Sequence, residues 1–183
     1  MNIGKPFVDA WNIFVKHLGT ILIGFIIVIV LSIVTLGILL IPLLVGLQML
    51  FVKAKRGEQI RANDVLAPIG RYFSLVFGGF GIGLLVLFGL CLLVVPGLTW
   101  CSWWMYALLY MYDRHMHIED AMKSSKEVVR RGGTWWHLLF LVIVFFIDNV
   151  VVWFFGPFGL LAKFITTPVT MGAIACAYAD EAK

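Results

Sequence analysis

Two long stretches of the chain, residues 17–52 and 72–112, contain no Asp, Glu, Lys or Arg. Each stretch is about twice as long as the roughly 20 apolar residues with which a helix crosses a bilayer. Gly37 and Pro42 interrupt the first stretch, and Pro96-Gly97 interrupts the second, at places where a helix can end and the chain can turn. Each stretch is therefore predicted to cross a membrane and return.

The remaining apolar sequence predicts a third hairpin, which is less uniform because Asp148 and Lys163 interrupt it. Residues 156–163 could belong to a span or form a short helix at the outer face. The predicted spans lie near residues 19–37, 40–53, 73–94, 97–112, 134–155 and 164–179. The predicted fold is all-α: a polytopic membrane protein with six transmembrane helices, forming a single integral membrane domain over residues 1–183.

A polar segment precedes each hairpin, with apolar residues at helical spacing on one face and charged residues on the other. The clearest of these segments begins at Ile118 and ends at Gly133. All three are predicted to be amphipathic helices at the cytoplasmic face of the membrane, and Asp64 is the expected N-cap of the second.

These amphipathic segments recur at almost equal spacing, which indicates an internal repeat. They begin near Asp9, Asp64 and Asp120, and Pro42 and Gly46 have the same spacing as Pro168 and Gly172. The predicted repeats, related by a pseudo-threefold axis along the membrane normal, are residues 6–54, 62–112 and 118–179.

The basic residues predict the orientation. All lysines and arginines except Lys163 lie outside the hairpins on one side, and short basic loops stay in the cytoplasm. The protein is therefore predicted to lie in the cell inner membrane with both termini cytoplasmic. The tryptophans fit interfacial positions, with Trp11, Trp135 and Trp136 at the inner face and Trp100, Trp103, Trp104 and Trp153 toward the outer face.

Composition excludes a soluble domain, because 62% of the residues are hydrophobic and 13% are charged, against about 25% charged in soluble domains. The net charge of +4 lies in short loops beside apolar spans, where it indicates contact with the lipid bilayer and not with nucleic acid. The interfacial basic residues expected to face lipid are Lys123, Lys126, Arg130 and Arg131.

Three short motifs resemble a known group of proteins: Arg56-Gly57-Glu58, Val95-Pro96-Gly97-Leu98, and the segment from Ile118 to Trp135. They resemble a loose family of uncharacterised prokaryotic six-helix inner-membrane proteins, related to the membrane domain fused to some glycerophosphodiester phosphodiesterases. The resemblance implies the architecture. It implies no activity and no catalytic residues.

Asp148 is the one acidic residue within a predicted span, and an ionisable group in a bilayer requires a partner. A turn at Gly156-Pro157 would bring Lys163 opposite Asp148, whereas another geometry of the inserted segment would separate them. The sequence leaves two interpretations of this candidate intramembrane ion pair. It is either a structural pair near the outer interface or a proton or cation site with Asn149 as an added ligand.

The other polar clusters favour structural roles. Gly79 and Gly83 form a small-residue face for helix packing, and His137 is expected at the interface. Alternate residues such as His115 and His117 share a face only in extended structure, so no metal site is predicted. The three cysteines, Cys91, Cys101 and Cys176, are expected to be apolar packing residues.

No nucleophile, base and orienting group occur together, so no catalytic residues and no cofactor are predicted. Two functional hypotheses remain. The first is a non-catalytic integral membrane protein, an accessory or scaffold component bound to other membrane protein subunits. The alternative is a small transporter or channel for an ion or a lipid-like molecule, with a path along the pseudo-threefold axis past Asp148.

Overall fold

The computed structural model describes residues 4–92, 94–155 and 159–182, and within them the protein is helical with short connections and no strand. The predicted all-α fold is confirmed. In chain order the elements are α1 (Gly4–Lys16), α2 (Leu18–Val34), α3 (Leu40–Lys55), a 3₁₀ helix (Ala62–Arg71), α4 (Tyr72–Leu92), α5 (Val94–Trp103), α6 (Ala107–Asp113), α7 (Ile118–Gly132), α8 (Thr134–Phe155) and α9 (Gly159–Glu181). The predicted turn at Gly156-Pro157 lies outside the described residues.

Length and apolar composition identify at least one candidate membrane span, Ala62–Cys91, which combines the 3₁₀ helix with α4. Two bent pairs, α1 with α2 and α7 with α8, would each qualify if both members belong to one span. By themselves α2 and α3 have 17 and 16 residues, which is below the roughly 20 of a full crossing. The six separate spans therefore stay a prediction.

Two of the amphipathic segments lie across the helix that follows them. The bend between α1 and α2 is 97° and that between α7 and α8 is 100°. Gly133 makes the second bend with a φ of +90°, a backbone conformation that favours glycine. Each segment buries its apolar face, through Ala10 and Phe14 in α1 and through Ala121 and Val129 in α7.

The middle amphipathic segment differs from the other two, because it is a 3₁₀ helix that forms one long helical stretch with α4. The expected N-cap was also wrong. Arg61 is the N-cap, and Asp64, three residues later, accepts a hydrogen bond from the Arg61 backbone N–H at 3.3 Å. Asp64 also pairs with Lys53 at 3.2 Å, so it joins this segment to the end of α3.

The helices α3, α6 and α9 form the centre of the bundle, where α3 packs against both of the others. Buried side chains from all three helices, among them Phe51, Leu109 and Ala173, belong to one hydrophobic core. Each amphipathic segment packs on the last helix of a hairpin: the 3₁₀ helix on α3, α7 on α6, and α1 on α9. The first helix of each predicted hairpin packs near the amphipathic segment that precedes it: α4 contacts α3, α8 contacts α5, and α2 contacts α9.

Glycines permit two of these close contacts. A Cβ added to Gly46 would overlap the carbonyl oxygen of Val65, and one added to Gly172 would overlap the ring of Phe51. The 3₁₀ helix can therefore approach α3 only at a residue without a side chain, and α9 approaches α3 in the same way. The shared Pro and Gly spacing of the sequence thus marks two helix contacts.

The predicted fourth span is broken, because α5 ends at Trp103 and α6 begins at Ala107. Ser125 of α7 fills the break: its hydroxyl donates to the Trp103 carbonyl at 2.7 Å and accepts from the Tyr106 N–H at 3.3 Å. The indole N–H of Trp103 donates to Thr134 at 3.2 Å. Trp103 therefore lies beside the start of α8, and its predicted position toward the opposite face was wrong.

Candidate functional site

Asp148 and Lys163, on the neighbouring helices α8 and α9, lie with their carboxylate and ammonium groups 3.7 Å apart. Thr167 donates a hydrogen bond to the Asp148 carboxylate at 2.8 Å, and Thr166 donates at 3.4 Å. Both ionic side chains are partly exposed, 23% for Asp148 and 33% for Lys163. The pair carries no net charge, and hydrogen bonds from α9 support it.

Asp148 borders a cavity of about 460 Å³ between α5, α8 and α9, which we call the α8 groove. Its walls are mainly aliphatic and aromatic side chains, with polar groups from Asp148, Asn149 and Thr170. Asn149 is exposed and its amide N–H donates to the Phe145 carbonyl at 2.8 Å. An apolar cavity with a few convergent polar groups is the usual form of a small-ligand site.

The α8 groove is separate from the centre of the bundle. Asp148 contacts α9 residues and the groove, whereas α3, α6 and α9 fill the centre with buried side chains such as Phe51 and Leu109. A path along the central axis would not pass Asp148. The Asp148 carboxylate instead lines a groove at the side of the bundle.

Charged residues concentrate where α3, α6 and α9 terminate, at Lys55, Asp113 and Glu181, and we call this the basic end. Arg56 forms a two-pronged ion pair with Asp113, at 2.8 and 2.6 Å, and the Tyr178 hydroxyl donates to the same carboxylate at 2.8 Å. Since these residues come from the three central helices or their ends, the contacts tie the three helices together.

Lys55 forms a second cluster at the basic end. Its ammonium lies 2.9 Å from Asp9 and 2.7 Å from Asp180, and it donates to the Cys176 carbonyl at 3.0 Å. Lys5 lies 3.4 Å from Asp180. Burial alone would lower the pKa of Lys55, but the hydrogen bonds to Asp180 and Asp9 outweigh burial and raise that pKa. The cluster joins α1, α3 and α9.

Two carboxylates of these clusters, Asp113 and Asp180, have lowered pKa values. Burial alone would raise the pKa of Asp113, but the hydrogen bonds from Arg56 and Tyr178 hold it below the ordinary value of 3.8. Burial opposes the shift at Asp180 also, and there the bonded and charged Lys55 ammonium lowers the pKa. A carboxylate with a lower pKa in the folded state stabilises the fold above the unfolded pKa, and this contribution is lost as pH falls through the folded pKa.

Acid is therefore expected to weaken the basic end. The unfolding temperature should be constant above about pH 5 and fall as pH decreases below the ordinary carboxylate pKa of 3.8. Asp113→Asn removes one titrating group, so its unfolding temperature should be lower at neutral pH and should change less with acid. Thermal unfolding followed by circular dichroism between pH 7 and pH 2 measures this. Parallel curves for the two proteins would contradict the role of Asp113.

His137 is fully buried within the protein. Its Nε2 lies 2.8 Å from the Glu181 carboxylate and its Nδ1 lies 3.0 Å from the Gly133 carbonyl. Gly132 lies against this pair, because an added Cβ would be 2.5 Å from the imidazole carbon Cε1. The pair fixes the end of α9 to the bend between α7 and α8.

The predicted basic residues of α7 form a shallow surface depression of about 580 Å³, lined by Lys123, Lys126, Glu127, Arg130 and Arg131. Arg131 pairs with Glu127 one turn away, and the Lys126 ammonium lies 4.4 Å from the centroid of the Trp103 ring. Beside this depression α8 begins with the exposed Trp135 and Trp136. A basic face next to exposed indoles suits a membrane surface or an acidic partner.

Only one of the two predicted packing glycines makes a close contact in the structure. A Cβ added to Gly79 would lie 3.1 Å from Ile41 of α3, whereas nothing lies within 4 Å of one added to Gly83. Gly78 of the same helix also packs closely, against Met111 of α6. The adjacent Gly78 and Gly79 therefore pack mainly against different helices, α6 and α3, and no Gly79/Gly83 face forms.

Among the residues that the structure describes, no three His, Cys, Asp or Glu side chains are arranged to hold a metal ion. Asp113, which begins the His-rich segment of the sequence, pairs instead with Arg56. Sequence reasoning also missed the Lys55 cluster and the buried His137. The available sequence signal for these contacts was that each charged residue lies at the end of an apolar helix.

Comparison with family models, curated proteins and solved structures finds no match for this chain.

Proposed function

We propose that this chain is an integral protein of the inner membrane that acts without catalysis, as an accessory or scaffold component of a membrane complex. In the proposed arrangement six helices cross the membrane as three repeats and both termini are cytoplasmic. The resemblance to prokaryotic six-helix membrane proteins is part of the same proposal.

The order of helix packing supports the threefold arrangement. The three amphipathic segments pack in turn on α9, α3 and α6, and the helices that follow them contact α9, α3 and α5 in the same order. Such an order is expected if three similar units are related by rotation about one axis. The differences, a 3₁₀ helix in the second unit and a broken helix at Trp103, are local.

The observation that carries the proposed role is the division of the molecular surface. Large apolar side chains are exposed on α2, α4 and α8, for example Ile33 at 70%, Phe77 at 71% and Phe145 at 71%, which suits contact with hydrocarbon. At the basic end, Lys55, Arg56 and their carboxylates bind one another. The basic face of α7 then remains as a charged surface for a partner subunit with an acidic patch.

Co-purification tests this role. The full chain is extracted with its surrounding native lipid, and proteins that accompany it are compared with those that accompany Lys123→Gln/Arg130→Gln. The control, Lys16→Gln/Arg61→Gln, removes two exposed charges elsewhere. We expect a defined partner to be lost with the α7 variant and kept with the control. Recovery of the wild type without any partner, or equal loss from both variants, would contradict the proposal.

The second candidate function is transport or binding of a lipid-like molecule, and the α8 groove is the observation that favours it. An ion path is less favoured, because the polar groups around Asp148 border a lateral groove with apolar walls. Proton-linked uptake that is lost in Asp148→Asn at unchanged stability would favour transport over the accessory role.

A further inference from the structure

The polar groups of the α8 groove offer more hydrogen-bond acceptors than donors, because the Thr170 hydroxyl hydrogen and one of the two Asn149 amide hydrogens are already bonded within the chain. The Thr170 hydroxyl donates to the Thr167 carbonyl at 3.0 Å, and the Asn149 amide donates to the Phe145 carbonyl at 2.8 Å. These bonds leave the oxygen of each side chain to accept. The Asp148 carboxylate accepts from Thr167 and Thr166, and a carboxylate has about four acceptor positions. The groove therefore offers mainly acceptor positions, which suit a ligand that donates a hydrogen bond.

The charge of the groove favours a neutral ligand. Asp148 faces the Lys163 ammonium at 3.7 Å, so the pair carries no net charge. An anionic head group would meet the Asp148 carboxylate, and a cation would lose its hydration to enter an apolar groove whose carboxylate is already compensated. A hydroxyl avoids both costs and supplies one donor.

The shape of the groove suits a chain. Along α8 the lining extends from Leu138 to Asn149, which is about 16 Å of helix. Asp148 and Asn149 lie at one end, and Leu138 lies at the other, near the start of α8. Leu98 and Cys101 of α5 complete the apolar wall, and the volume of about 460 Å³ falls within the range of roughly 300–1,000 Å³ typical of ligand sites.

We propose that the α8 groove binds a neutral, hydroxyl-bearing single-chain lipid. The hydrocarbon chain lies between α5 and α8, and the hydroxyl donates to the Asp148 carboxylate. This site goes beyond the accessory role and does not depend on it, because a bound lipid can be measured on the isolated chain whether or not a partner subunit exists.

Photolabelling tests the site. The full chain, reconstituted in lipid nanodiscs, is labelled with a long-chain alcohol that carries a diazirine on its chain, and the labelled peptides are identified by mass spectrometry. We expect labels on α5 and α8, and competition by dodecanol at least about tenfold stronger than by dodecanoate, the difference of about one charge-assisted hydrogen bond. Equal competition, or label spread evenly over α2 and α4, would overturn the proposal.

A matched pair of variants locates the site. Cys101 lines the groove and Cys91 is exposed on α4, so Cys101→Trp fills the groove whereas Cys91→Trp adds the same side chain elsewhere. Labelling of α5 and α8 should fall about tenfold in the first variant and stay unchanged in the second. Unchanged labelling in a folded Cys101→Trp protein would overturn the site.

Asp148→Asn tests the chemistry without changing the size of the side chain. The substitution removes the acceptor charge and leaves the Lys163 ammonium without its carboxylate, so dodecanoate should become the stronger competitor. A variant that still prefers dodecanol would show that Asp148 does not recognise the head group, and would overturn that part of the proposal.

Discussion

Replacement of Gly46 by alanine is expected to destabilise the protein by about 3 kcal/mol, at the upper end of the effects of overpacking. The added Cβ would overlap the carbonyl oxygen of Val65 and lie 2.8 Å from its carbonyl carbon. Backbone atoms cannot move aside as the end of a flexible side chain can. The 3₁₀ helix would have to separate from α3, which would expose the buried Val65.

Gly83→Ala is the matched control, since nothing lies within 4 Å of a Cβ added there. Gly83 lies within α4, where alanine is favoured over glycine by about 1 kcal/mol, so the control should be as stable as the wild type or slightly more stable. Unfolding of both variants in the same detergent, followed by circular dichroism, measures the difference. Equal stabilities for the two variants would mean that the 3₁₀ helix does not pack on α3 at Gly46.

Asp113→Ala is expected to cost about 2 to 3 kcal/mol of unfolding free energy. The substitution removes the acceptor of two Arg56 bonds and one Tyr178 bond, and loss of one partner of a buried ion pair typically costs about 3 to 5 kcal/mol. The expected cost is smaller here because Arg56 is 40% exposed and can be rehydrated. The Tyr178 side chain is fully buried and would lose its acceptor.

Two further variants make this expectation specific. Glu58→Ala removes an exposed carboxylate near Arg56 and should change stability by less than about 0.5 kcal/mol. Tyr178→Phe removes one hydrogen bond and should cost about 1 kcal/mol. Because Asp113 and Tyr178 are in contact, the double variant should cost less than the two single changes together. Additive costs would show that the two residues act independently.

Much of the helical structure could be predicted from local patterns. Helical periodicity predicted α1 and α7, and the apolar runs predicted helices close to α2, α3, α4 and α8. Periodicity could not predict the break after Trp103, because the break is stabilised by Ser125 from another helix. It also could not distinguish a 3₁₀ helix from an α-helix before α4.

Among the ion pairs also, those between residues close in sequence could be predicted and those between distant residues could not. Asp148 and Lys163 lie on consecutive helices, so counting residues on each side of a predicted turn gave their pairing as one of two possible geometries, and the structure brings them together. Arg56 and Asp113 are 57 residues apart, and His137 and Glu181 are 44 apart. Neither pair has a local signal, since a charge beside an apolar helix looks the same whether it contacts water or another helix end.

The sequence by itself determined the helical class, the apolar segments, at least one of which is long enough to cross a membrane, and the asymmetry of the basic residues, because each depends on composition or on neighbours along the chain. Only the tertiary structure decided which charges bind one another, which glycines lie at helix crossings and that Asp148 borders a lateral groove. Those features depend on contacts between residues that are distant in sequence, and only the packing of α3, α6 and α9 and the helices around them brings such residues together.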